Sequence, residues 1–155
     1  MLFRSKLNIP KPYWGKLQKG EIVEYEGNTY TSDMVMGRER KGLKVTYCTD
    51  SRPMNQIVDH ARDADIFICE GMYAEKEKAA KAKQYKHMTF YEAARMAAKA
   101  QPKVMWLTHF SPSLTDARSY LPEVRSIFKN TVLGKDGMSE ELNFEDEDDE
   151  QGDSI

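Results

Sequence analysis

A chain of 155 residues is long enough for one ordinary domain with a real core, and short for two. Its 23 Lys and Arg against 25 Asp and Glu leave a net charge of −2, which removes any global basic signature of nucleic-acid binding. The balance is uneven, because acid collects in residues 144–150. The preceding body is therefore net basic, compatible with a phosphate-rich partner without demanding one.

In chain order, residues 1–6 have no signal-peptide core behind them. No apolar run nears the roughly 20 residues of a membrane span, so no membrane partner and a cytoplasmic location are expected. Asn8-Ile9-Pro10-Lys11-Pro12-Tyr13-Trp14-Gly15-Lys16 is rich in proline and aromatic residues and has little periodicity. The alternation of residues 21–26, followed by Gly27-Asn28-Thr29-Tyr30-Thr31, predicts a hairpin. Ser32 and Asp33 then cap a short turn leading to the basic run at residues 38–41. Residues 1–42 read as a hairpin and connector leaning on something else.

From residue 43 the pattern becomes regular. It predicts strands over 43–48, 64–69 and 103–108, with helices over 54–62, 74–84 and 90–100. Thr89-Phe90-Tyr91-Glu92 fits a capping box. Ala93, Ala94, Ala97 and Ala98 give the last of these helices a small face for close packing. Pro122 opens an amphipathic helix over 121–128, and residues 130–133 add an edge strand. Strands alternating with helices predict an α/β fold with a parallel sheet and right-handed crossovers over residues 43–143. The acidic tail, 144–155, is expected to be disordered. Cys48 and Cys69 lack Cys-x-x-Cys spacing and fall in runs that read as buried strands, the usual place of reduced, core-filling cysteines.

Four polar residues fall at strand ends or in the connections between strands. Asp50 follows the first strand, Glu70 the second and His109 the third, so all three belong to the carboxyl edge of the sheet, where ligands gather in open α/β folds. His87, between the second and third strands, can reach that edge. Each has a plain alternative. Asp50 beside Ser51 and Pro53 also reads as a helix cap, His109 as a hydrogen-bonded structural histidine, and His87 as an exposed loop residue. Glu70 has the weakest alternative, since a carboxylate ending a buried strand needs a partner. His60, on the polar side of its helix, reads as solvated. Together the four residues suit metal-assisted phosphodiester hydrolysis: carboxylate and imidazole hold metal, and a His–Glu pair moves a proton to the leaving oxygen. Phosphate-binding glycine loops and the G-x-S-x-G elbow are absent.

The sequence around these residues resembles a known family. Tyr47-Cys48-Thr49-Asp50-Ser51-Arg52-Pro53 is similar to the "GDTRP" motif of ribonuclease Z, the tRNA 3′-processing endonucleases of the metallo-β-lactamase superfamily. Cys69-Glu70-Gly71-Met72-Tyr73 looks like the family's "HEATF", His87-Met88-Thr89 its "HST", and Leu107-Thr108-His109-Phe110-Ser111-Pro112 its "LTHFSPR". Residues 9–21 resemble its "P-x-G-x-L-x-x-G" segment. The likeness runs to about residue 144.

It implies the C-terminal half of a metallo-β-lactamase αββα sandwich. By the same resemblance Asp50 bridges two Zn2+ ions, His109 ligates one of them, and His87, supported by Glu70, contacts the scissile phosphate or protonates the leaving group. Arg52 steadies the Asp50 loop. The implied substrate is precursor tRNA, and the full-length family commonly forms homodimers. The sequence departs from the family at Cys69, Met88 and Ser113. It has three histidines in all, too few for the family's H-x-H-x-D-H cluster. The segment for a tRNA-grasping arm has no counterpart.

The chain alone is therefore expected to be inactive without the missing N-terminal half, whether the chain is a fragment, a truncated reading frame or a split-gene product with that half on another chain, and to leave one sheet face apolar. Two other readings remain: a non-catalytic interaction module, and another hydrolase of the superfamily, of arylsulfatase or phosphodiesterase type.

Overall fold

The computed structural model describes residues 7–36 and 41–144. The basic run at 38–40, and the acidic tail apart from Phe144, lie outside the described residues. The chain divides into two compact units, residues 1–41 and 42–155.

In the first unit, α1 (Lys11–Gln18) begins behind Pro10 and carries Pro12 in its first turn, where a missing amide hydrogen costs nothing. It ends at Gly20, whose φ of +85° suits glycine, with the Gly20 amide donating to the Leu17 carbonyl. β1 (Val23–Tyr25) and β2 (Asn28–Tyr30) pair antiparallel around Glu26 and Gly27, both at positive φ, as a two-residue hairpin turn requires. α2 (Ser32–Val35) follows. Ile9, Leu17, Val23 and Val35 form a small core, and Trp14 Nε1 donates to the Ile9 carbonyl at 2.7 Å. The hairpin is the expected one. The proline-rich segment, which showed little periodicity, is instead largely helical. Leu17 is the one buried residue of α1, so the helix had almost no apolar repeat to read.

The second unit holds β3 (Val45–Cys48), α3 (Asn55–Ala61), β4 (Ile66–Glu70), α4 (Ala79–Gln84), α5 (Phe90–Ala100), β5 (Val104–Thr108), α6 (Leu121–Ile127) and β6 (Thr131–Leu133). Short 310 turns at Lys76–Lys78 and Arg118–Tyr120 precede α4 and α6. All four strands are parallel, in the order β3-β4-β5-β6. Strands laid down in sequence order with right-handed crossovers send every connecting helix to the same face. Accordingly, α5 packs between α3 and α6.

Phe67, Cys69, Met105 and Leu107, all fully buried, point to that face and meet Phe90, Ala93, Ala94 and Ala97 of α5. Each large side chain buried there contributes about 1.5–3 kcal/mol. The opposite face is apolar and poorly covered. Val45 and Tyr47 are 53% and 67% exposed, while Ile68, Val104, Trp106 and Val132 are half-buried. The expectation of a buried strand at β3 is thus corrected. Among the described residues β3 is the edge strand: Val45 and Tyr47 lie on the open face, and Cys48, on the helix side beside Cys69, is half-buried at the rim.

Candidate metal centre

Strand ends deliver Asp50, Glu70 and His109 to the candidate site, and the loop between α4 and α5 delivers His87. β3 stops at Cys48, and two residues later Asp50 takes φ +51°. β5 stops at Thr108, and His109 follows at φ +57°. Left-handed backbone at a residue other than glycine is strained and turns the chain sharply. Here it lies at two neighbouring places on the carboxyl edge. Asp50 does not cap α3, whose N-cap is Met54. Its carboxylate Oδ1 lies 3.5 Å from His109 Nε2 and 4.0 Å from His87 Nδ1, and Oδ2 accepts from Thr49 Oγ1 at 3.1 Å. The two imidazole rings are 5.5 Å apart, inclined by 36°. One ligand atom from each of Asp50, His87 and His109 lies within 4.8 Å of the others.

Glu70 stands behind this group. It is fully buried and has three partners at its two oxygens. Oε1 accepts the Ser51 amide hydrogen, and Oε2 accepts the Met88 amide hydrogen at 3.3 Å and lies 3.0 Å from His87 Nδ1. A carboxylate at Nδ1 fixes the ring and leaves Nε2 as the nitrogen that can hold or release a proton. Exposure grades across the site. The Glu70 side chain is 0% exposed, His87 19%, His109 38% and Asp50 64%.

The surrounding loops are stitched to one another. Gly71 donates to the Thr108 carbonyl at 2.8 Å, Met72 to Met88 and Ser111 to Met72, both at 2.9 Å. A Cβ on Gly71 would come within 2.8 Å of Leu107 and Phe90, so glycine lets the loop pass closely between them. Arg52 makes the longest link. Its guanidinium donates to the His87 carbonyl and, through two nitrogens, to the Glu92 carboxylate. Glu92 is also the capping-box residue of α5, accepting from the Thr89 amide at 2.8 Å while its own amide donates to Thr89 Oγ1. Burial raises the Glu92 pKa, but the Arg52 hydrogen bond and the Thr89 amide outweigh it and hold the carboxyl below its ordinary value.

Behind the edge, Cys48 and Cys69 are register partners. A hydrogen bond between them, aided by burial, holds the Cys69 thiol well above its ordinary value and draws that of Cys48 below.

Asp50, Glu70, His87 and His109, the four residues singled out from the sequence, thus lie at one place. His60, exposed on α3, lies apart from them. The link from Arg52 to the His87 carbonyl was not legible, because a backbone acceptor leaves no trace in a sequence. The Glu92 capping box, which was legible, marked its other end. One carboxylate oxygen and two imidazole nitrogens are a donor set that divalent transition metals accept. Three such donors fit one ion. Two would need more ligands than the described residues gather.

Residues 25–110 match the beta-lactamase superfamily domain family, and the chain belongs to that family. It is similar to the ribonuclease Z of Agathobacter rectalis, 64% identical over 143 residues, 92% of this chain and 47% of that protein. It is also similar to the ribonuclease Z of Lachnospira eligens, 56% identical over the same shares. The chain spans about half the length of the curated relatives it matches. Among solved structures, the metallo-beta-lactamase fold protein YhfI of Bacillus subtilis superposes with a TM-score of 0.53 at 23% identity, over 59% of this chain and 36% of that one. This likeness agrees with the α/β fold and its parallel sheet.

Proposed function

We propose that this chain supplies the C-terminal, proton-moving part of a ribonuclease Z active site, one that cuts the 3′ trailer from precursor tRNA and leaves a 3′-hydroxyl. The observation that carries the reading is the meeting of Asp50, His87 and His109 at one sheet edge, with buried Glu70 bonded to His87. The similarity to ribonucleases Z supports it.

In this reading Asp50 and His109 hold Zn2+, with the remaining ligands coming from an N-terminal half that carries H-x-H-x-D-H. A bound zinc pair lowers the pKa of water and stabilises the charge of an in-line displacement. The residues of this chain do the rest. Glu70 accepts the Nδ1–H of His87, so that a protonated His87 carries its second, transferable proton on Nε2. His87 then delivers a proton from Nε2 to the departing 3′ oxygen as the P–O bond breaks. Arg52 holds the His87 backbone from behind. The open apolar face of β3–β6 is the surface the other half covers, and the whole enzyme works as a cytoplasmic homodimer.

The test measures metal content and precursor-tRNA cleavage by this chain, with and without a polypeptide supplying H-x-H-x-D-H. Activity only in the mixture, abolished by Asp50→Ala and by His109→Ala, is the expected result. Tight binding of two zinc ions and cleavage by this chain alone would overturn the division of labour. Cleavage of small sulfate or phosphate esters in preference to tRNA would move the site to another hydrolase class. An inactive mixture that still forms a stable complex would favour a non-catalytic interaction module.

A further inference from the structure

Lysines crowd the stretch that leads into His87. Residues 76–86 hold five: Lys76, Lys78, Lys81, Lys83 and Lys86. Two are neutralised, Lys76 by Glu123 and Lys78 by Glu75. Lys81, Lys83 and Lys86 are exposed and make no ion pair among the described residues, and Glu77 is the one acid of the stretch left unpaired.

Aromatic rings stand among these lysines. The Lys81 ammonium sits 5.6 Å from the centre of the Tyr73 ring and 6.0 Å from that of Tyr85. Such contacts hold a cation in place without cancelling its charge. Tyr85 is itself 56% exposed, a large ring displayed to solvent. The stretch is fastened to the site, since the His87 amide donates to the Ala82 carbonyl at 2.9 Å and that of Lys86 to Lys83 at 3.3 Å. Lys86, at φ +60°, makes the sharp turn into His87.

We propose that Lys81, Lys83, Lys86 and Tyr85 form a docking surface for single-stranded RNA, gripping its phosphodiester backbone and stacking one base beside the Asp50–His87–His109 group. The inference rests on the function proposed above and adds to it where the strand lies. Ammonium groups serve as point charges for phosphate, and an exposed tyrosine offers a face to any base. Together they give binding that follows the backbone and tolerates any sequence. An acidic protein surface would engage the lysines but leave the Tyr85 ring unused.

The experiment measures binding of a fluorescent acceptor-stem hairpin with a single-stranded 3′ trailer to the chain across a salt series. It compares wild type, the triple variant Lys81→Ala, Lys83→Ala, Lys86→Ala, the variant Tyr85→Ala, and a control losing Lys99, Lys129 and Lys135. Losing three phosphate contacts lowers the salt slope by about 2 and weakens binding on the order of 50-fold near physiological salt. Tyr85→Ala should weaken binding about tenfold with the slope unchanged. The control should keep the wild-type slope.

Equal losses in the triple variant and the control would overturn the proposal, as would no RNA binding by the wild-type chain. It would also fail if polyglutamate competed as well as RNA and Tyr85→Ala had no effect, which would reassign the surface to an acidic protein. Cleavage by the reconstituted mixture is scored separately, so the docking surface can fail while the catalytic reading stands.

Discussion

The Glu70 carboxylate lies 3.0 Å from His87 Nδ1 and is wholly buried, while the imidazole it holds keeps a fifth of its surface in solvent. Glu70→Gln preserves shape but removes the charge that fixes the ring. Activity of the reconstituted enzyme should fall about 10- to 100-fold, with altered imidazole nitrogen shifts at His87 in NMR. His87→Ala should cost more, about 10²–10⁴-fold. Equal activity in wild type and Glu70→Gln would remove Glu70 from the proton path.

Asp50 and His109 should reveal themselves in metal uptake before any catalysis is measured. Calorimetry should find weak zinc binding by the chain alone, and a marked gain once a polypeptide carrying H-x-H-x-D-H is added. Chelation should reverse that gain. Either Asp50→Ala or His109→Ala should abolish most of it. Unchanged uptake in both variants would exclude them as ligands.

Arg52 and Glu92 connect the Asp50 turn to the start of α5. Arg52→Ala strips the charged hydrogen bonds from a partly buried carboxylate and should cost about 1.5–3 kcal/mol, read as a shift in denaturation midpoint. The carboxyl of Glu92 is held below its ordinary value of 4.5, so its contribution is complete above that pH and fades as pH falls through the folded value. The stability gap between wild type and Glu92→Gln should accordingly stay level near neutrality and close in acid. A gap that widened in acid would contradict the assignment.

The two left-handed residues offer a test that needs no substrate. At His109, a glycine should be more stable than an alanine by about 1–2 kcal/mol, since both lose the ring and only glycine is at ease at positive φ. The same order should hold for Asp50→Gly against Asp50→Ala. Urea midpoints decide it, and alanine equal to glycine at both sites would mean the turns relax without cost.

Much of the second unit was legible because its signals are local. Alternating strand and helix periods placed β3 to β6, and the spacing of Thr89 and Glu92 announced the cap of α5. The carboxyl-edge position of Asp50, Glu70 and His109 followed from topology alone. What could not be read depends on partners distant in sequence. Cys69 and Met88 stand where the resembling motifs have a histidine and a serine, and each looked like a separate departure. In the fold they touch, Sγ to Sδ 3.8 Å, so the two departures meet as one sulfur pair. The exposure of β3 was equally hidden, since its apolar run is what a central parallel strand would also show.

The place of β3 at the rim of the sheet has a consequence for handling the protein. Along this rim the backbone amide and carbonyl groups of Val45–Cys48 that face away from β4 have no strand beside them among the described residues, and Val45 and Tyr47 project into water. Such a margin is a template on which another strand can crystallise out its own hydrogen bonds, and proteins normally guard it with charge, proline or a bulge. β3 contains none of these. The isolated chain should therefore be prone to self-association that rises with concentration, and a single lysine in place of Tyr47 should keep it monomeric.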